Sequence, residues 1–525
     1  MKRTACLIFS LAVVLLAAQA QSAAYDLIVR HGRLVDGTGN PAFFADIGVT
    51  KGRIAAIGRI SGKAKREVDA TGMIVTPGFI DVHTHADDIA EMPQAENFAR
   101  MGVTTIVVGN CGTSAADIGK LFRDIEARKV SVNVASLIGH GEVRAKAMGG
   151  SFDRAPTPEE LATMKSLVAQ AMQDGAVGMS TGLIYLPGTF AKTDEIVELA
   201  KVVSDYDGIY TTHMRDEGRN IFASLDEVFR IAREANIRAE ISHIKLSGNA
   251  SWGQAGKVLA AIEQARAEGL DITQDEYVYT ASSTGISQLV PDSAREGGKF
   301  QERIADPHQK SAIVAQMKSN LAANGRTNYE YAVIADYQTD PGLNGLTIPE
   351  ASKAKRGSDS LDDQIELILE IVAHHGAQGV FHGISEDDLQ QFLRDPNTMI
   401  GSDSGVREFG KGVPHPRGYG NSARVLARYV RELKVLRLED AIRRMTTLPA
   451  ETFRLRDRGE LCPGNWADLV IFDPAKIQDN ATYQAPHHYA TGIQFVFVNG
   501  VEVVKDGEYT GARPGMALRH LTPKK

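Results

Sequence analysis

The sequence predicts an α/β protein. Its expected core is a (β/α)8, TIM-like barrel with a small β-sandwich domain built from both chain termini and an insertion after strand 7. Three observations lead there. Short apolar runs broken by Gly, Asn and Asp turns occupy both ends of the chain. Eight apolar strands alternate with helical segments between them. That alternation is interrupted once, between Tyr277 and Met399.

Taken in order, the chain opens with "MKRTACLIFSLAVVLLAAQAQSAA". Lys2 and Arg3 form a charged start, Ala5 to Ala18 an apolar run too short to span a bilayer, and Ala18-Gln19-Ala20 a cleavage site. Residues 1–20 are therefore expected to be a signal peptide. The mature protein would be soluble and exported, in a Gram-negative cell to the periplasm, with no membrane partner once cleaved. Residues 25–76, which open with "YDLIVRHGRLVDGTGNPAFFADIGVTKGRIAAIG", read as antiparallel strands of the sandwich. Residues 77–450 hold the barrel. Its strands are Phe79–His85, Thr104–Gly109, Asn133–Ile138, Gly178–Thr181, Ile209–Met214, Ala239–Ile244, Asp271–Tyr277 and Met399–Asp403. The segments "TPEELATMKSLVAQAMQDG" and "SLDEVFRIAREAN" repeat apolar residues near every 3.6 positions, with helix starts at Thr157 and Ser224. The stretch from about 285 to 355 is too long for an ordinary loop and reads as an inserted subdomain near the barrel mouth. Residues 451–525, with "GNWADLVIFDP" and "IQFVFVNGVEVVKDGEY", complete the sandwich.

Composition narrows the function. With 525 residues, 43% of them hydrophobic, the chain is globular, and a formal charge of −7 without a basic block excludes nucleic acid as a partner. A small-molecule substrate remains. Of three cysteines, Cys6 lies in the signal segment. Cys462 and Cys111 sit in unlike contexts at opposite ends of the chain and are expected to be unpaired, Cys462 packed in the sandwich.

The chemistry gathers at strand ends. "GFIDVHTHADD" places His83 and His85 at i and i+2, on one face of a strand. Two buried imidazoles gain little from each other, whereas one metal ion satisfies both. Cys111 leaves the second strand in "VVGNCGTS", a polar turn from which a thiolate can reach a metal. His213 ends the fifth strand in "YTTHMRDEG", His243 the sixth in "EISHIKLSG", and Asp403 the eighth in "MIGSDSG". Singly, each fits a capping or core polar residue. Together the six converge at the C-terminal end of one barrel, where barrel enzymes place their chemistry.

Taken together, "PGFIDVHTH", "GNCG", "THMRDEG", "ISHIK" and "GSDSG" resemble the amidohydrolase superfamily, and within it the N-acyl-D-amino-acid deacylases, over nearly the whole mature chain. The resemblance implies a tight zinc ion on Cys111, His213 and His243. It also implies a weaker second position formed by His83, His85, Cys111 and Asp403, with Asp403 as general base and then general acid. Other branches bridge two metals with a carboxylated lysine on the fourth strand, and "GAVGMSTGL" has no lysine there. The resemblance further implies substrate contacts by Lys245, by Tyr277 and Ser283 of "DEYVYTASST", and by Arg417 of "GVPHPRGYG", the last for the amino-acid carboxylate. Between Asp403 and Arg417 the chain is longer than is typical of the family and adds two cations, Arg407 and Lys411.

The leading expectation is zinc-dependent hydrolysis of N-acyl-D-amino acids to a carboxylate and a free D-amino acid. A dipeptidase acting on L-Xaa-D-Xaa peptides is the close alternative. A cyclic-amide hydrolase is disfavoured by the missing lysine, and a non-catalytic binding protein by the complete ligand set. His140 and Arg144 match a family segment without an assigned role. His374, His375, His382, His487 and His488 read as surface or structural residues.

Overall fold

The structure, a computed structural model, describes residues 25–521; the expected signal peptide lies outside them. The N-terminal strands β1 (Tyr25–Leu34), β2 (Phe43–Thr50), β3 (Arg53–Gly58), β4 (Ala64–Asp69) and β5 (Ile74–Pro77) form one sheet with the C-terminal strands β17 (Leu469–Phe472), β18 (Ile493–Val498), β19 (Val501–Lys505) and β20 (Glu508–Tyr509). The two ends of the chain meet where β5 pairs antiparallel with β17. The sheet closes over a core that includes Leu27, Ile47, Leu469, Ile471 and Phe497. It is not wholly antiparallel as expected: β1 runs parallel to both β4 and β5. Cys462 stays out of that core, half-buried at a turn beside Pro463, while its neighbour Leu461 enters it.

The barrel consists of β6 (Phe79–Asp81), β7 (Val103–Val108), β8 (Asn133–Gly139), β9 (Gly178–Gly182), β10 (Ile209–His213), β11 (Arg238–Ile241), β12 (Ile272–Glu276) and β16 (Thr398–Ile400). They lie side by side in that order, all parallel. Parallel strands covered on both faces need apolar side chains throughout, and β7, "VTTIVV", is buried at every position. The seam between last and first strands closes at the rim. There Asp403 N–H donates to the His83 carbonyl (2.8 Å) and His85 N–H to the Ser404 carbonyl (2.9 Å).

Helix starts show how local chemistry aims the loops. The helix Pro158–Asp174 begins as expected, with Thr157 Oγ1 accepting from Glu160 N–H and the Glu160 carboxylate accepting from Thr157 N–H. The next expected start is displaced. The helix runs Ile221–Ala235, and Ser224 Oγ instead accepts from Asp216 N–H at 2.9 Å, pinning the loop that follows His213.

After β12 the chain enters β13 (Ala281–Gly285), which joins β14 (Ala332–Asp336) and β15 (Gln378–His382) in an antiparallel three-stranded sheet. This unit has its own core, including Ile286, Met317, Ile334 and Ile368. It spans 281–382, wider than the expected 285–355, because β13 and β15 pair with each other across the helices between them. No helix among the described residues is long and apolar enough to cross a membrane.

Candidate metal centre

The expected ligands lie at or just past the ends of their strands. β6 ends at Asp81, before His83 and His85, and His213 is the last residue of β10. Cys111, His243 and Asp403 each follow a strand and adopt positive φ, at 53°, 37° and 51°. Few non-glycine residues enter this region, although Asp and His do so more often than most, and it costs about 1–3 kcal/mol each. The surroundings hold them there. Gly112, also at positive φ, donates its N–H to Ser180 Oγ (3.0 Å), and a Cβ on it would lie 2.8 Å from the Gly182 nitrogen.

Cys111 Sγ is the centre of the cluster. It lies 3.3 Å from His83 Nε2, 3.5 Å from His243 Nε2 and 3.8 Å from His213 Nδ1. Zinc bonds of about 2.3 Å to sulfur and 2.0–2.1 Å to nitrogen, at a tetrahedral angle, put S and N about 3.5 Å apart. The donor set therefore fits zinc. His83, Cys111 and His243 form one compact triple, and His83, His85 and Asp403 another. The expected division, with His213 beside Cys111 and His83 in the second position, thus overlaps in the structure: His83 touches both groups. Burial alone would raise the Cys111 pKa, but the imidazoles of His83 and His243 and hydrogen bonds from His213 and His243 hold it well below that of an ordinary thiol. A thiolate is the form that ligates metal.

Behind these ligands stand carboxylates absent from the expected set. Asp275 takes His83 Nδ1 at 3.1 Å on one oxygen and His243 N–H at 3.1 Å on the other. Glu217 lies 3.0 Å from His243 Nδ1 and 3.8 Å from His213 Nε2. Together with His213 and His243 it forms a third candidate triple. Such partners fix ring orientation and raise ligand basicity. Lys245, expected to touch substrate, is also engaged here. Its Nζ donates to Glu217 Oε1 (2.7 Å) and the His243 carbonyl (2.9 Å) and sits 2.9 Å from His243 Nδ1. Asp275 lies one residue before the end of its barrel strand, and Glu217 lies inside the quoted "THMRDEG".

Asp403 faces the other side. Its Oδ1 lies 3.1 Å from His85 Nε2, and its Oδ2 2.9 Å from Arg417 Nη1. Against the cost of burial, Arg417 and the His85 hydrogen bond hold Asp403 well below the usual carboxylate range, so it is ionised at neutral pH. Arg417 is 2% exposed, packs 4.6 Å from the Tyr277 ring and donates Nη2 to the Ser283 carbonyl at 3.3 Å. Ser283 thus meets it through backbone, not hydroxyl. Arg417 Nε and Nη1 have no aligned hydrogen-bond acceptor, Nη1 despite its closeness to Asp403. Tyr277 Oη and His213 Nε2 are likewise buried and without partners. Buried polar groups are rarely left unpaired, so a cluster of them around one space marks a place for a ligand. Arg407 packs over Gly418 beside Arg417 and donates Nε to Ser404 Oγ (3.2 Å), whereas Lys411 is exposed near Glu408.

A barrel whose rim converges one thiolate, four imidazoles and an ionised carboxylate on one space is that of a metal-dependent hydrolase. Residues 66–509 match the amidohydrolase family, and the chain belongs to it. It is similar to the D-aminoacylase of Alcaligenes xylosoxydans xylosoxydans, with 36% identity covering 95% of this chain and 99% of the relative. It also resembles a crystal structure of D-aminoacylase, with TM-score 0.81 and 34% identity over 94% of this chain and 100% of that one. The N-acyl-D-glutamate deacylase of Bordetella bronchiseptica, solved with zinc and a phosphonate mimic of the tetrahedral intermediate, matches at TM-score 0.80 and 34% identity, with the same coverage.

Proposed function

We propose that the protein is a zinc-dependent hydrolase of N-acyl-D-amino acids, releasing a carboxylate and a free D-amino acid, and that it acts after export. The observation that carries this reading is the convergence of three imidazole nitrogens on Cys111 Sγ, with Asp403 beside His85. The activities of the named relatives support the substrate class. Cys111, His213 and His243 would hold the tight ion, and His83, His85 and Asp403 a weaker second one. When bound there, zinc would supply Lewis acidity to polarise the scissile carbonyl and acidify the attacking water.

The chain's own residues do the rest. Asp403, ionised at neutral pH, takes a proton from water and returns it to the departing amide nitrogen. Asp275 and Glu217 keep the imidazoles of His83 and His243 turned toward Cys111. The Arg417 guanidinium, with Nε unpaired and Nη1 beside Asp403, and the Tyr277 hydroxyl would receive the substrate α-carboxylate. An anchored carboxylate leaves the amide one way to lie across the metal, so only one enantiomer directs its side chain into open space. The test is turnover of N-acetyl-D- against N-acetyl-L-amino acids by the zinc-loaded protein. Strong preference for the D series is expected, and equal rates for both hands would overturn the reading.

A further inference from the structure

Beside the metal cluster lies a cavity of about 360 Å³, bounded on one side by His213 and Glu217 and on the other by Arg326, Tyr331, Phe381 and His382 of the inserted unit. Its charges are unevenly matched. Glu217 is held by Lys245 at 2.7 Å and faces His243 at 3.0 Å. Asp216 accepts the backbone N–H groups of Gly218 (2.7 Å) and Asn220 (3.2 Å) and the Asn220 side-chain amide (3.2 Å). Arg215, also on the cavity wall, is paired with Glu227 through two contacts of 3.0 Å. Both acids are thus occupied, and one of the three cations is neutralised.

Arg326 is different. Its guanidinium stacks on the Tyr331 ring at 3.9 Å and donates one Nη2 hydrogen bond, to the His382 carbonyl at 3.2 Å. Among the described residues no carboxylate lies within ion-pairing distance of it, and its half-buried side chain lines the cavity. Stacking on an aromatic ring fixes the plane of a guanidinium and leaves its edge free for a carboxylate fork. Exposed Arg219 adds a second unpaired positive charge at the mouth. The cavity is therefore a preformed cation beside the reaction centre, without an anion of its own.

We infer that Arg326 determines specificity for substrates bearing a second carboxylate, in addition to the α-carboxylate at Arg417, on the group that fills this cavity. The inference rests on the deacylase reading and names the substrate class within it: acidic N-acyl-D-amino acids. The extra carboxylate could belong to the D-residue side chain or to the acyl group.

Two pairs of near-isosteres separate these sources on the zinc-loaded protein. N-acetyl-D-glutamate is compared with N-acetyl-D-glutamine, and N-succinyl-D-leucine with its succinamoyl counterpart. One acid should exceed its neutral partner in kcat/KM by about tenfold or more, the scale of a hydrogen bond to a charged group. Arg326→Gln should bring that ratio near unity, and Arg326→Lys should retain part of it. Parity in both pairs for the wild type would overturn the inference whether or not the variant folds. A preference undiminished in Arg326→Gln would remove the assignment to this residue. Calorimetric binding of the four compounds to Asp403→Asn reads the preference without turnover. A wild type inactive on all four compounds would count against deacylation, while equal affinities within each pair would count against the anionic subsite.

Discussion

Two buried polar clusters sit at the same rim of the barrel, and they differ in what their polar atoms do. The cluster following the third strand joins His140, Arg144 and Glu195. His140 Nε2 lies 2.9 Å from Glu195 Oε1, and Arg144 Nη1 lies 3.1 Å from Glu195 Oε2. The rest of the Arg144 guanidinium donates to the carbonyls of Pro187 (3.3 Å), Phe152 (3.3 Å) and Arg154 (2.7 Å). It ties the loop of Phe152 and Arg154 to that of Pro187 and leaves one orphan, His140 Nδ1. In the metal centre the donors of His83, His213 and His243 aim at one sulfur, and Arg417, Tyr277 and His213 keep buried atoms without partners. The first cluster spends its hydrogen bonds internally and is structural; the second holds them open for something not made of protein. Burial and charge alone do not distinguish the two.

Substitutions can break this contrast. The largest effect is expected from Cys111→Ala, which removes the atom on which three imidazoles converge. Most of the bound zinc, and the activity with it, should be lost, as elemental analysis and turnover of the same sample would show. Asp403→Asn should keep the tight zinc yet lose about 10²–10⁴-fold in turnover, the usual worth of a general acid–base group. Retention of most activity would assign the proton transfer to another residue. Asp275→Asn probes a residue that acts only through His83 and His243. Zinc affinity, read by competition with a chelator, should weaken by about 10–100-fold. Glu195→Gln inverts the pattern. Leaving Arg144 buried without its counter-charge should destabilise the fold by about 3–5 kcal/mol in denaturant unfolding, while zinc content stays at the wild-type level. A loss of zinc there would join the two clusters into one.

Much of this is legible in the sequence, for definable reasons. Barrel strands announce themselves as apolar runs, and residues such as His83, His213, His243 and Asp403 stand out because a polar side chain ends each run. Asp275 does not stand out, because "DITQDEY" carries three acids within six residues, and only the three-dimensional register shows which of them points at His83. Glu217 lies in a loop without periodicity, so nothing local marks its direction. The positive φ of Cys111 has no sequence signature, since cysteine does not favour that conformation. Arg326 is the least visible. It reaches the site only because β13 and β15, almost 100 residues apart, pair and carry the insertion to the barrel mouth. His382, expected at the surface or in a structural role, lines the same cavity by the same route.

The central claim is that one ion, centred on Cys111, makes this rim a deacylase. It is tested most directly by adding zinc stepwise to chelator-stripped protein while following hydrolysis of an N-acyl-D-amino acid. The account predicts negligible activity without metal and a rise that saturates near one zinc per chain. Full activity in the metal-free protein, or none until two ions are bound, would contradict it.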